Sequence, residues 1–251
     1  MSVLNRMMNI KKEKGGVFAL LLDPDRCSES SILAMAEQAE DVGVDIVLVG
    51  SSLTVRGNFH AMVKQIKSGT NLPVIVFPGA HSQISPHADA ILFTSLLSGR
   101  NPQYLIDEQV KGAPIIKSFG IEPIPTAYLL IESGRYSSVQ YMSGSLPIPS
   151  EKTDIACAHA LAAQYLGMQM VFLEAGSGAE KSVSDTMVSS VAGYVEIPLI
   201  VGGGIRTPGD VEAKVAAGAS VVVVGDHFEK SGGSMIREFT AAAHPTEEVA
   251  V

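Results

Sequence analysis

The sequence predicts an α/β fold, a single (β/α)8 (TIM) barrel with room for an irregular or shortened helix in one unit, and three observations carry that prediction. Short runs rich in Val, Ile and Leu recur with helical stretches between them, the alternation of a parallel sheet closed by crossovers. Eight such runs can be placed, at residues 17–22, 45–49, 74–77, 90–93, 122–131, 170–173, 199–201 and 221–224, and eight strands close a barrel whose interior is filled by side chains. The last two runs pass straight into glycine, as LIVGGGI (199–205) and SVVVVGD (220–226). After the seventh and eighth strands of such a barrel, glycine lets main-chain N–H groups approach a phosphate. A phosphorylated substrate is therefore expected before any catalytic residue is named.

A chain of 251 residues fits one such domain, 1–251, with about 244–251 reading as a frayed tail. Hydrophobic residues make up 46% and Trp is absent, which suits β-branched strands covered by Ala-rich helices. Helices are expected at 28–42, 153–166 and 210–217, each with apolar residues at helical spacing and the first two with a Ser or Thr start. A fourth, near 102–110, is expected to end at Gly112–Pro114.

No apolar run reaches the roughly 18 residues that a membrane span requires. The opening MSVLNRMMNIKKEKGG lacks the core of a secretory signal, so the protein is expected in the cytoplasm. Cys27 and Cys157 have neither disulfide-framework nor metal-ligand spacing and read as plain thiols. The net charge of −8 disfavours nucleic acid as a partner. Lys11, Lys12 and Lys14 form a basic run that reads as a solvated helix end, with anionic lipid headgroups as the second reading.

Active sites in this architecture lie where strands end. Asp23 follows the first strand and Ser52 the second, a carboxylate and a hydroxyl that suit Mg²⁺ completed by substrate oxygens. The neighbouring Asp25, or Ser28, reads as a cap for the next helix. Glu174 ends the sixth strand and runs into Ala-Gly-Ser-Gly. A carboxylate there can accept a hydroxyl proton, or it binds a backbone N–H or pairs with Arg206. Ser177 reads equally as a phosphate donor or a helix cap. The long segment 133–149 carries Tyr136, Tyr141, Met142, Leu146 and Ile148, an apolar set suited to a greasy substrate or to packing on itself. The six histidines lack metal-ligand spacing, and His227 is the one nearest the glycine rim.

Taken together, these loops resemble the geranylgeranylglyceryl phosphate synthase and heptaprenylglyceryl phosphate synthase family over almost the whole chain. The resemblance is carried by LLLDPDR (20–26), VGSS (49–52), FPG (77–79), SLLSGRNPQYLI (95–106), IPTAYLLIESG (124–134), SVQYMSGSLPIP (138–149), FLEAGSG (172–178), VGGGIRTP (201–208) and VVVVGD (221–226). It implies transfer of a long prenyl group, twenty carbons by this likeness, from its diphosphate to the 3-hydroxyl of sn-glycerol 1-phosphate with Mg²⁺ assisting. Asp23 and Ser52 then match the metal ligands. Phe172, Leu173, Glu174, Ala175, Gly176, Ser177 and Gly178, with Gly203, Gly204, Gly225 and Asp226, match the glycerol phosphate site, and Glu174 matches the acidic residue that receives the proton. The resemblance also implies a dimer or larger homo-oligomer, and the lipid product implies peripheral contact with a membrane.

Three positions depart from the family's pattern. Phe172 stands where Tyr is usual, Asp226 where Asn is usual, and Gly144 where the YMSN stretch has Asn. A carboxylate at 226 would repel a phosphate unless it faces away. These departures leave a second reading, another phosphorylated acceptor such as a phosphoglycerate, for which Arg206 would supply the extra cation. An isomerase or aldolase shares the phosphate rim, but Lys117 precedes its strand and no lysine ends one. A non-catalytic barrel that binds prenyl phosphates is the reading outside enzymes.

Overall fold

The structure, a computed structural model, describes residues 1–53, 58–231 and 233–245. Eight parallel strands close in sequence order: β1 (Val17–Leu22), β2 (Ile46–Val49), β3 (Val74–Val76), β4 (Ala90–Leu96), β5 (Glu122–Leu130), β6 (Met170–Glu174), β7 (Leu199–Gly202) and β8 (Val221–Val224), with β8 pairing back onto β1. Each expected strand is present, displaced by at most a few residues at its ends. β4 extends furthest beyond expectation because it pairs with the long β5 from Ala90↔Glu122 to Leu96↔Tyr128.

Side chains alternate between two layers. Phe18, Leu20, Val171 and Leu173 pack outward beneath the helices. Val17, Ala19, Met170 and Phe172 fill the barrel. The same alternation turns Asp23 and Glu174, the next residues of their series, towards the mouth.

Before the barrel, α1 (Val3–Lys14) closes its N-terminal end with Met7 against the interior cluster. Helices α2 (Glu29–Asp41) and α3 (Phe59–Gly69) follow β1 and β2. Between β3 and β4 there is only a 3-10 turn, His81–Gln83, and this is the shortened unit that the sequence allowed for. The next helix corrects an expectation. A π-helical turn at Gln103–Asp107 leads into α4 (Glu108–Phe119), which continues through Gly112 and Pro114 and stops at Gly120, left-handed at φ 70°. Pro114 removes one N–H but lies one turn after Val110, which is 63% exposed, so water can satisfy the orphaned carbonyl. Gly112 allows close packing on Ile84.

The segment after β5 holds α5 (Ser138–Ser143), and α6 (Thr153–Tyr165), α7 (Asp185–Ala192), α8 (Pro208–Ala216), α9 (Asp226–Ser231) and α10 (Ile236–Ala242) complete the shell. Among the described residues, no helix is long and apolar enough to cross a membrane. The tail is tied down further than expected. His244 Nε2 lies 2.7 Å from the Asp45 carboxylate and Pro245 packs on Gly15, while residues 246–251 lie outside the described residues.

Asp45 organises that end of the barrel. Its buried carboxylate also accepts from Lys14 Nζ at 2.7 Å and from the Phe18 N–H at 2.8 Å. Burial pushes the carboxyl up, but the donors from His244, Lys14 and Phe18 outweigh it and hold it below its ordinary value. Lys14 is thus part of a bridge and not only a solvated helix end.

Candidate active site

At the C-terminal mouth one cavity collects residues from strand ends all round the barrel. Asp23, Ser52, Glu174, Gly203, Gly204 and Gly225 line it, joined by Ser177, Gly178 and Asp226. Its inner walls are apolar and run past Phe77, Phe93, Leu96 and Tyr104 towards Ile116. From the segment after β5, Val139, Met142 and Ser143 contribute. Tyr136, Tyr141 and Leu146 instead face solvent, and Ile148 is buried beside Ile131. Of the apolar set expected to line a groove, Met142 is the member that does so.

Glu174 is the buried carboxylate of this cavity. It is 6% exposed, and its Oε1 accepts from the Gly176 N–H at 2.7 Å. Register opposes it to Gly202. A Cβ on Gly202 would lie 2.8 Å from Oε2, and one on Gly203 would collide with Oε1 and with the Gly176 main chain. The glycine run after β7 therefore makes room for the carboxylate as well as turning the chain, with Gly203 at φ 81°. Burial raises the Glu174 carboxyl to about 7, against the smaller opposing effect of the Gly176 N–H. Nearby, Tyr128 is pushed well up by burial and by the charge of Glu174.

Around this carboxylate the sequence alternatives resolve. Arg206 does not pair with Glu174; its Nη2 donates to the Ala179 carbonyl at 2.9 Å. Ser177 does not cap α7, a task that falls to Ser184, and its hydroxyl reaches Asp226 Oδ1 at 3.3 Å. Ser28 caps α2. Among the described residues, no hydrogen bond uses the N–H groups of Gly203 or Gly204, which leaves both as donors at the rim.

Phe172 is fully buried and stacks 5.1 Å from Phe77 and 5.6 Å from Tyr128, below the cavity wall. Leu173 and Ala175 turn their side chains into the layer beneath the helices, so only their main chain is available to a ligand. Gly176 is occupied in holding Glu174. The Gly144 departure concerns backbone alone: it caps α5 in the left-handed conformation with nothing within 4 Å of a Cβ, a position that Asn or Gly can take. His227 stacks on Phe239 at 4.8 Å and is not part of the cavity wall.

Asp23 is held by the Asp25 N–H at 2.9 Å and by Arg26 Nε at 3.3 Å. Burial raises its carboxyl despite these partners and the Ser51 hydroxyl, the condition of a buried anion short of positive charge. No group of three or more His, Cys, Asp or Glu residues that could hold a metal exists among the described residues. One carboxylate and one hydroxyl fit a magnesium ion that takes its remaining oxygens from substrate and water.

Two residues of this site carried no role in the sequence reading. Gln83, 2% exposed, ties the loops after β2 and β3 by donating to the Ser51 carbonyl at 2.8 Å and accepting from the Gly79 N–H at 3.0 Å. Arg26 spans the mouth, reaching Asp23, Asp226 at 2.7 Å and Glu229 at 3.7 Å. Arg26 lies within the LLLDPDR motif, but nothing in that motif announces a partner two hundred residues away.

The profile of the PcrB family matches residues 8–243. The chain belongs to the PcrB family. Similar proteins include the geranylgeranylglyceryl phosphate synthase of Chitinophaga pinensis, 42% identical over 240 residues and covering 95% of each chain. That of Thermococcus kodakarensis is 48% identical over 223 residues, covering 88% of each. Among solved structures, the crystal structure of (S)-3-O-geranylgeranylglyceryl phosphate synthase from Thermoplasma acidophilum in complex with its substrate sn-glycerol-1-phosphate aligns with a TM-score of 0.90 and 37% identity, covering 97% of this chain and 99% of the other. This PcrB family member keeps the closed barrel of that enzyme and the glycine turns expected of a phosphate rim.

Proposed function

We propose that the protein transfers a prenyl chain from its diphosphate to the 3-hydroxyl of sn-glycerol 1-phosphate, forming an ether and releasing diphosphate. Geranylgeranyl diphosphate is the proposed donor. The observation that carries this reading is Glu174: a buried carboxyl raised to about 7, set between glycine turns able to hold a phosphate and a long apolar cavity able to hold a prenyl chain. The relatives' names and the glycerol phosphate complex of the Thermoplasma acidophilum enzyme support the choice of substrates.

Each part of the site has a task in this reaction. The turns at Gly203–Gly204 and Gly225 bind the acceptor phosphate through main-chain N–H groups, which fixes the hydroxyl and makes the attack effectively unimolecular. The apolar walls at Phe77, Phe93 and Leu96 exclude water from the electron-poor allylic carbon. As the bond from that carbon to the diphosphate oxygen breaks, the glycerol oxygen forms the new one. Its proton passes to the Glu174 carboxylate.

Asp23 and Ser52 are the residues that would hold magnesium. The ion, when bound, neutralises the charge that develops on the departing diphosphate. The Arg206 guanidinium donates to the Ala179 carbonyl and does not line the cavity, which weighs against the phosphoglycerate alternative. The experiment is product analysis by mass spectrometry with purified protein, Mg²⁺, glycerol 1-phosphate and donors of several lengths. An ether product, greatest with the twenty-carbon donor, is expected. Turnover with phosphoglycerate but not glycerol 1-phosphate would overturn the acceptor.

A further inference from the structure

The Asp226 carboxylate does not face away from the phosphate rim. Its Oδ1 accepts from the Arg26 guanidinium at 2.7 Å and from the Ser177 hydroxyl at 3.3 Å. Its Oδ2 lies 3.7 Å from where a Cβ on Gly178 would stand, and Arg135 Nη2 lies 3.4 Å from that same point. Asp226, Ser177 and Gly178 all line the cavity. A guanidinium and a hydroxyl beside a glycine turn are the donors that a phosphate oxygen takes. Here they are engaged by a carboxylate of the chain itself.

We infer that Asp226 competes with the acceptor phosphate, and that Arg26 and Ser177 pass from the Asp226 carboxylate to the phosphate when the acceptor binds. The inference rests on the phosphorylated acceptor proposed above and adds Arg26 to its binding residues. Like charges repel at such range in a partly buried site, so a phosphate and the Asp226 carboxylate cannot share these donors without cost. Arg26 is well placed for the exchange. It is 35% exposed in its side chain and already divides its charge among Asp23, Asp226 and Glu229. The segment that carries Arg135 is docked along the same turn, since the Lys181 N–H donates to the Ser133 carbonyl and a Cβ on Gly176 would meet Ser137 at 2.5 Å. A second guanidinium is thereby held at the lip of the site.

The exchange makes an uncommon demand: removing a charge from the binding site must tighten binding. Calorimetric titration of glycerol 1-phosphate, and separately of inorganic phosphate, without donor or Mg²⁺, tests it on the wild type, Asp226→Asn and Arg26→Gln. Asp226→Asn is nearly isosteric and is expected to bind both anions about tenfold tighter, while Arg26→Gln is expected to bind them about tenfold more weakly. Should Arg26→Gln fail to fold with three carboxylates stranded, Arg26→Lys takes its place and is expected to weaken binding several-fold, having charge but no fork. Unchanged or weaker phosphate binding by Asp226→Asn overturns the inference. Tighter binding of inorganic phosphate by Asp226→Asn, with glycerol 1-phosphate bound by neither protein, upholds the exchange and overturns the proposed acceptor.

Discussion

Two carboxylates are buried at opposite ends of this barrel and carry opposite shifts. Asp45, 3% exposed at the N-terminal end, has Lys14, His244 and the Phe18 N–H around it and is held below its ordinary value. Glu174, 6% exposed at the C-terminal end, has one N–H and is raised to about 7. Burial acts on both in the same direction, so the difference lies in the donors. The end that ties Lys14 and His244 together satisfies its charge, while the end that carries the candidate active site leaves a carboxyl raised towards neutral pH, the range in which a proton is readily exchanged.

The largest effect that would sharpen this contrast is on turnover. Glu174→Gln keeps the shape but cannot take a proton, and steady-state rates should fall about 10²-fold or more with an unchanged circular dichroism spectrum. Unchanged turnover would remove Glu174 from the mechanism. In the wild type, kcat/KM should fall as pH drops below about 7, because Glu174 becomes protonated, and this limb should vanish from the residual activity of the Gln variant.

On stability the two residues should behave oppositely. A lowered carboxyl stabilises the fold above its ordinary value of 3.8, and that contribution is lost as pH falls through the folded-state value. Asp45→Asn should therefore cost about 2 kcal/mol at pH 7 by urea denaturation, a figure discounted for the exposure of Lys14, and the difference from wild type should shrink in acid. A raised carboxyl does the reverse. Between 4.5 and about 7 the folded state holds the proton that the unfolded state has released, so stability falls as pH rises through that window. Glu174→Gln should then be more stable than the wild type at pH 8 by on the order of 2 kcal/mol, and equal to it at pH 4. Equal stability at both pH values would show that burial does not tax the Glu174 carboxylate. The smallest expected effect is that of Ser177→Ala, a several-fold rise in KM for glycerol 1-phosphate with kcat nearly unchanged, because one neutral donor to phosphate is lost.

The eight strands were legible because burial on both faces of the sheet leaves Val, Ile and Leu in short continuous runs, and strand ends then named Asp23, Ser52 and Glu174. Where reading by rule failed, a tertiary contact had outweighed a local signal. Pro114 marks a helix end in isolation, yet α4 continues because the Val110 side of the helix meets solvent while Gly112 packs on Ile84. Tyr141 and Leu146 looked like groove residues, but their exposure depends on how α5 is turned. His244 looked like the start of a loose tail because Asp45, its partner, lies 199 residues away.

By itself the sequence determined the closed parallel barrel, the glycine turns after its last two strands and the family, since these depend on local periodicity and on motifs contiguous in the chain. Only the tertiary structure decided which carboxylate is satisfied and which is raised. It also decided that Phe172 lies beneath the site and that Asp226 meets Arg26 and Ser177. Charge and burial depend on neighbours brought together from distant strand ends, and no spacing along a chain states how many donors a buried oxygen will find.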